Sequence, residues 1–216
     1  MCWLNSSDLH FPWTLRTVGT VFAEHPEVEW ISSLQPAAMD PTGMCAIIGP
    51  EPGFARDAFL DGRFLGHPTT IPTVGQRAWI QQEGTFWRRR AWDRIGGTIG
   101  EYKLAADFDL WARLYEKADL VGVAAPLALF RFHPEQRSSR IQRYTEESAA
   151  SLTRLRHALD WQRPAARAAA LAARLPRIPG VARAAEQLVG YRGRRLVRRV
   201  DTDGNGRWVM EEHGFL

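Results

Sequence analysis

The stretch ADFDLW at residues 106–111 predicts the start of a helix, because acidic residues precede an apolar stripe with helical spacing. The members of that stripe are Leu110, Trp111, Leu114 and Tyr115. Two short apolar runs follow, at 119–123 and 127–132, and both are typical of strands. A helix followed directly by strands predicts an α/β fold, in which flanking helices cover a sheet.

The region before this stretch predicts one longer helix near the N-terminus. Pro12 fits a first helical turn, and the residue before Pro26 is pushed out of the helical conformation, so the helix should end at His25. The apolar residues at helical spacing between them are Leu15, Val18, Val21 and Phe22. We therefore expect these four side chains to face the core.

Between this helix and residue 106 the sequence predicts three further elements. Residues 28–32 and 79–82 have the β-branched and aromatic content of strands. Residues 88–95 are typical of a short helix that the glycine pair at 96–97 closes. The intervening 35–75 segment is rich in Pro and Gly, and it predicts a long irregular excursion.

Composition excludes several classes of protein. The chain has 216 residues, of which 45% are hydrophobic and 24% charged, and such a chain is long and apolar enough for one folded core. It contains no run of 18 apolar residues, which argues against a transmembrane helix. Cys2 and Cys45 are too few for a zinc cluster or a disulfide framework, and two free thiols favour a reducing cytoplasm.

The net charge of +4 conceals an asymmetry along the chain. Residues 154–199 carry twelve arginines against Asp160 and Glu186, which gives 12 − 2 = +10 and leaves 4 − 10 = −6 for the rest. We therefore divide the chain near residue 138, into a mildly acidic region at 1–138 and a basic helical tail at 139–216. An amphipathic helix opens that tail, marked by Ile141, Tyr144, Leu152, Leu155 and Leu159.

Three interpretations of the basic tail remain open. Arginines interleaved with alanine and leucine fit an anionic membrane surface, with the protein at the inner face of the membrane. Binding to nucleic acid is the weaker option, because no recognition helix or stacking aromatic pattern accompanies the arginines. A solvated helical face that binds nothing is the third.

The C-terminal segment supports two structural predictions. Residues 201–212 match the calcium loop of an EF-hand, with Gly206 at the sixth position and Glu212 at the last. Too few residues follow Glu212 for an exiting helix, and the apolar runs at 196–198 and 207–210 favour a β-hairpin around the turn. We favour the hairpin.

Four segments in fixed order carry a resemblance to a known family. They are WLNSSD at 3–8, IQQEGTFWR at 80–88, ADFDLW at 106–111 and FRFHPEQRS at 130–138. Together they resemble the second half of the catalytic domain of family 2 glycosyltransferases, which have the GT-A (Rossmann-like) fold. The resemblance spans roughly residues 3–138 and implies a partial GT-A sheet with flanking helices.

The first segment resembles the acidic motif that holds a divalent metal, Mg²⁺ or Mn²⁺, against the diphosphate of a nucleotide-sugar. Oxygen ligands suit such hard cations, which neutralise the leaving diphosphate. Asp8 keeps a carboxylate here, whereas Asn5 and Ser7 stand where acids are common. The alternative is that this segment caps the helix that begins near Pro12.

The third segment implies the reaction chemistry. In inverting enzymes of this family one carboxylate takes the proton of the acceptor hydroxyl, and Asp107 stands at that position. Asp109 lies two residues further on, so helical geometry turns it away, and it is expected to interact with the helix dipole. The alternative for Asp107 is a capping acid, and a capping acid can also be the base.

The remaining site residues come from the second and fourth segments. The resemblance places Gln82 and Glu83, with Gln81, on the acceptor side. It places Arg131 toward phosphate and His133 beside the metal or diphosphate. A histidine at a strand end is also commonly an ordinary surface residue.

The resemblance implies transfer of a sugar, with inversion, from a nucleotide-sugar to a glycan or lipid-linked acceptor. In the family, a nucleotide-binding βαβ half precedes the acidic motif, and here that motif opens the sequence. We therefore expect little or no transferase activity from these 216 residues alone. The alternative function is a non-catalytic remnant or interaction module whose arginine-rich tail binds an anionic membrane or an acidic partner.

Overall fold

The computed structural model describes residues 1–47, 49–65, 79–132, 141–162 and 190–215, which form a mixed α/β fold with flanking helices. The helices are α1 (Thr14–Glu24), α2 (Arg56–Leu60), α3 (Arg89–Arg94), α4 (Ala106–Lys117) and α5 (Ile141–Ala158). The strands are β1 (Leu9–His10), β2 (Trp30–Ser33), β3 (Ala37–Met39), β4 (Cys45–Ile47), β5 (Thr85–Trp87), β6 (Leu120–Val123), β7 (Ala128–Arg131), β8 (Tyr191–Val200) and β9 (Gly206–Phe215).

Two mixed sheets organise these elements. The larger has the strand order β5-β2-β6-β8-β9, in which β2, β6 and β8 run parallel and the outer strands β5 and β9 are antiparallel to their neighbours. The smaller has the order β1-β7-β3-β4, with β7 and β3 parallel. The short strands β2 and β6 are buried along their whole length, as expected for central parallel strands.

The larger sheet is covered on both faces. Successive side chains of a strand point to opposite faces, so Trp30 packs in one apolar cluster and Ile31 in the other. The cluster of Trp30 contains residues from α2, α4 and α5, and the cluster of Ile31 contains Val18 and Val21 from α1. The result is a helix–sheet–helix arrangement of three layers.

Aromatic rings fill the first of these clusters. The ring centroid of Trp30 lies 4.8 Å from that of Tyr115 and 5.8 Å from that of Trp111, and its indole N–H donates to the carbonyl of Ala118 at 3.1 Å. The rings of Phe59 and Phe108 stack at 4.7 Å. Helix α4 is therefore fixed against the sheet along most of its length.

Several elements predicted from sequence are confirmed. The four apolar residues expected on α4 are all buried, and α3 ends at a glycine pair in which Gly96 and Gly97 have φ of +92° and +65°. Helix α1 ends at Glu24, just before His25. Within α1, the predicted core position Leu15 is wrong, because that side chain is 70% exposed.

Two other predictions are corrected. Residues 79–82 form no strand; they lead into a turn in which the Thr85 N–H donates to Gln82 O, and the strand begins only at Thr85. The 35–75 segment is not irregular throughout, since it contains β3, β4 and α2. Its β3 strand consists of three buried residues that pair with β7, and this tertiary pairing overrides the turn-forming composition.

The C-terminal hairpin is confirmed and the EF-hand alternative is wrong. Strands β8 and β9 pair over ten residues each, and Glu212 lies within β9 opposite Arg194 rather than in a calcium loop. In the turn, Asp201 Oδ1 accepts hydrogen bonds from the N–H groups of Asp203 and Asn205. The hydrogen bonds of this carboxylate close the turn between the two strands.

The basic tail is not helical throughout. Five of the twelve arginines at 154–199 lie on β8, which continues the parallel part of the larger sheet. Residues 163–189, which carry most of the others, lie outside the described residues, as does the boundary expected near residue 138. Packing nevertheless joins the two regions, since Leu152 and Leu155 of α5 belong to the same cluster as Trp111.

Among the described residues, no helix combines the length and apolar character needed to cross a membrane.

Gly193 provides a test of hairpin docking. A Cβ at this position of β8 would lie 2.3 Å from the carbonyl oxygen of Phe54, so Gly193→Ala should lower the free energy of unfolding by about 2 kcal/mol. The control is Gly19→Ala on α1, whose added methyl meets nothing within 4 Å and should be neutral or stabilising. Chemical denaturation measures both, and equal stabilities for the two variants would contradict the docking.

Candidate functional site

The candidate site lies at the carboxyl end of β2 in the larger sheet. There the N–H of Ser33 donates to Gly84 O, and the N–H of Leu34 donates to Val123 O at the end of β6. Glu83, immediately before β5, is thereby fixed at this edge. The carboxyl ends of parallel strands are the usual place for ligands in open α/β sheets.

Asp8 is held at the end of the smaller sheet. It is 4% exposed; its Oδ1 accepts the N–H of Arg131 at 2.9 Å and its Oδ2 accepts the Asn5 side-chain amide at 3.1 Å. The guanidinium Nε of Arg131 donates to Ser7 O at 2.9 Å. The predicted site residues Asp8 and Arg131 are therefore brought together by one hydrogen bond, which the backbone N–H of Arg131 donates.

The alternative role of residues 3–8 as a helix cap is wrong. Helix α1 begins only at Thr14, and no side chain caps its first turn. Thr14 instead donates its hydroxyl to Leu127 O, which ties the start of α1 to the segment before β7. The Asp8 carboxylate therefore accepts a hydrogen bond from the end of β7 and none from the first turn of α1.

Glu83 is the most deeply buried acid of the site, at 2% exposure. Asn5 links it to Asp8, since the same amide that donates to Asp8 lies 3.4 Å from Glu83 Oε1, and His10 Nε2 lies 3.0 Å from Glu83 O. Burial, followed by the nearby charges of Asp8 and Asp107, raises the pKa of Glu83 well above its ordinary value. The protonated form is thereby favoured.

Asp107 lies in the first turn of α4. Burial raises its pKa to about 6, although hydrogen bonds from the N–H groups of Phe108 and Asp107 and from the Tyr144 hydroxyl act in the opposite direction. Its Oδ1 is buried and has no hydrogen-bond partner among the described residues. Asp107 therefore carries a carboxylate that is more basic than usual and has one oxygen unoccupied.

Asp109 has a different environment from Asp107. It is buried and accepts hydrogen bonds from Ser151 Oγ at 2.9 Å, from Arg113 Nε at 3.0 Å and from the Arg154 guanidinium. The expectation that it turns away from Asp107 agrees with these contacts. It is held in a buried ion-pair network with two arginines, beyond the dipole interaction expected.

The two glutamines of the second segment differ in their contacts. Gln81 is fully buried and donates to Ala37 O at 2.9 Å, so it links the site segment to β3 rather than lining the acceptor side. Gln82 is half-buried and donates to Trp3 O at 3.3 Å. Its contact with an acceptor remains a prediction.

The residues present fit a divalent cation only in part. Glu83 Oε2 and Asp107 Oδ1 are buried carboxylate oxygens without hydrogen-bond partners in the described part of the chain, and such oxygens suit Mg²⁺ or Mn²⁺. Those same described residues contain no group of three His, Cys, Asp or Glu side chains arranged to hold a metal. The predicted ligand His133 lies outside the described residues.

Replacing Asp107 tests the electrostatic cost at this position. Its raised pKa means that the folded chain binds the proton more tightly than the unfolded chain. The contribution of this proton to the free energy of unfolding is therefore fully present below pH 4 and is lost as the pH rises through 6, by up to about 3 kcal/mol. Asp107→Asn should therefore be more stable than the original chain at pH 7.5 by about 1–2 kcal/mol, with no gain at pH 4.

Urea denaturation between pH 4 and 8 measures this difference. The control is Asp93→Asn, an exposed acid paired with Arg89 on α3, which should change the stability by less than about 0.5 kcal/mol at every pH. A stability difference for Asp107→Asn that does not vary with pH would show that Asp107 titrates normally.

No model of a known protein family matches the chain, and no curated protein sequence matches it. The site offers three acids from separate segments, of which Asp8 and Glu83 share one amide and Asp107 carries an unoccupied oxygen.

Proposed function

We propose that the chain is a glycosyltransferase, with low turnover as these 216 residues alone, that moves a sugar, with inversion, from a nucleotide-sugar to a hydroxyl of a glycan or lipid-linked acceptor. Asp107 is the general base that takes the hydroxyl proton. The proposal combines the resemblance of residues 3–138 to family 2 glycosyltransferases with the chemistry of the site. It rests on one observation, the convergence of Asp8, Glu83 and Asp107 at one edge of the sheets.

The protonation of Asp107 supports this role. A general base works best when its pKa lies near the working pH, because it is then both deprotonated and basic. With a pKa of about 6, Asp107 is mostly ionised at pH 7.5 yet more basic than an ordinary aspartate. Its unoccupied Oδ1 is the oxygen that accepts the proton.

Asp8 and Glu83 divide the remaining tasks. Asp8 and Arg131, joined by a direct hydrogen bond, form the diphosphate side, where a divalent cation bound with the donor would neutralise the leaving group. His133 is proposed to contact the same group. Glu83, favoured in its protonated form, and Gln82 form the acceptor side, where an O–H and an amide can bind sugar hydroxyls.

The test is a transfer assay on the purified chain and on Asp107→Asn. The chain is incubated with uridine, guanosine and deoxythymidine diphosphate sugars, Mg²⁺ or Mn²⁺, and oligosaccharide or polyprenyl-phosphate acceptors, and product is identified by mass spectrometry. Because loss of a general base costs about 10²–10⁴-fold, Asp107→Asn should reduce turnover at least about 100-fold.

The matched control for this assay is Asp93→Asn, which removes one exposed carboxylate outside the site and should leave turnover unchanged. In the original chain the rate should rise with pH through about 6, as Asp107 loses its proton. Turnover that survives Asp107→Asn, or no transfer to any acceptor, would contradict the proposal.

A second proposed function, binding to an anionic membrane at its inner face, is favoured by the end of the hairpin. Arg198 and Arg207 are exposed beside the turn, and the neighbouring Val200 is 65% exposed. Exposed cations beside an apolar side chain suit an anionic lipid surface. Such binding would also bring a lipid-linked acceptor close to the protein.

Vesicle flotation tests this second function. Arg198→Glu with Arg207→Glu should weaken binding to vesicles containing phosphatidylserine by at least about tenfold, since each cation near such a surface contributes about 1 kcal/mol. The control is Arg16→Glu, an exposed arginine on α1. The membrane function would be contradicted if the double variant and the Arg16→Glu control bound these vesicles equally. It would also be contradicted if the original chain bound uncharged phosphatidylcholine vesicles as well as those with phosphatidylserine.

A further inference from the structure

We propose that Glu147 of α5 is a positioning residue for Asp107: its carboxylate binds the backbone at the start of α4 and thereby sets the place of the base. This inference deepens the proposed function and rests on it for the role of Asp107. It assigns a part of the site to a helix that lies outside the resemblance at residues 3–138.

The contact itself is a bridge between two helices. Helix α4 has no side chain of its own that caps its first turn. Glu147 Oε2 accepts hydrogen bonds from the N–H of Leu104 at 2.8 Å and from the N–H of Ala105 at 3.0 Å. These are the two residues immediately before α4, so Glu147 binds the N–H of the N-cap residue as the glutamate of a capping box does, but from another helix.

The other oxygen of Glu147 is also held. Its Oε1 accepts a hydrogen bond from Arg143 Nε at 3.0 Å, one turn earlier on α5. Burial alone raises the pKa of Glu147, but the N–H groups of Ala105 and Leu104 and the Arg143 side chain lower it below its ordinary value. The charged form, which is the stronger acceptor, is therefore present at neutral pH.

Further contacts from α5 reach the same turn of α4. Ser151 and Arg154 bind Asp109, two residues after Asp107, and the Tyr144 hydroxyl hydrogen-bonds to Asp107 itself. Tyr144, Glu147, Ser151 and Arg154 follow one another at intervals of three or four positions. They therefore share one face of α5. Residues 104–109 are therefore held by α5 on both sides of Asp107.

Glu147 is the member of this face whose loss changes the site most selectively. The apolar side of α4 packs through Leu110, Trp111 and Leu114, which do not depend on Glu147. Without the carboxylate, the first turn should fray while the rest of the helix stays packed. Asp107 then moves toward water, and this loss of burial lowers its pKa.

The experiment compares Glu147→Met with Glu147→Gln in the full chain, since the two side chains have similar length and only glutamine keeps an acceptor oxygen. Carboxyl ¹³C NMR follows the titration of Asp107, and hydrogen exchange follows the amides of Leu104 and Ala105. In Glu147→Met the titration midpoint should fall by about half a unit or more, and both amides should exchange about tenfold faster. Glu147→Gln should retain at least half of the protection.

The matched control is Glu146→Gln, the neighbouring exposed acid of α5, which should change neither measurement. Unchanged Asp107 titration and amide exchange in Glu147→Met would overturn the inference, as would a general loss of stability with no shift at Asp107. If Glu147→Met does not fold, the same two measurements on Glu147→Gln decide, with smaller changes in the same directions expected and no change overturning the inference.

These two measurements need no substrate, so they decide the inference separately from the proposed function. Where the original chain transfers sugar, Glu147→Met should lower kcat about tenfold with little change in the KM for the acceptor, because the base is displaced but the acceptor surface remains. An effect on KM alone would overturn the positioning role. Absence of transfer in the original chain would count against the proposed function only.

Discussion

The burial of Glu83 beside the charges of Asp8 and Asp107 is the constraint on which the site depends. Asp8, Glu83 and Asp107 come from segments that are distant in sequence, and the charges of the first and third raise the pKa of the second. Such a cluster is stable only where hydrogen bonds or protons offset the charge. Asp8 has the N–H of Arg131 and the Asn5 amide, Glu83 favours its protonated form, and Asp107 retains one unoccupied oxygen.

The surrounding fold supplies rigid support for this arrangement. Parallel pairing of β2, β6 and β8 fixes the edge at which Glu83 lies, and the aromatic contacts of Trp30 fix α4 against the sheet. Helix α5 then binds both sides of Asp107 through its polar face. The basic region after residue 138 is thus joined to the site by packing, although its charge alone indicates a separate tail.

The sequence predicted what local pattern controls. The apolar spacing of α4, the glycine pair after α3 and the turn of the β8–β9 hairpin were all recognisable because each depends on neighbouring residues. Contacts between residues distant in sequence could not be predicted from local pattern. Strand β3 forms because it pairs with β7, and Gln81 is buried where it donates to the carbonyl of Ala37. The resemblance placed Asp8 and Asp107 in the site, whereas Glu147 has no local motif, since its role depends on backbone groups more than 40 residues away.

Asp107 and Glu83 share one site in which burial raises the pKa of both carboxyl groups. Carboxyl ¹³C NMR of the original chain from pH 3 to 9 tests it most directly, with Asp93 as an exposed internal reference. We expect a titration midpoint of about 6 for Asp107 and a higher midpoint for Glu83. The Glu83 midpoint should fall when Asp107 is replaced by Asn. Midpoints near 4 for both acids, independent of each other, would contradict it.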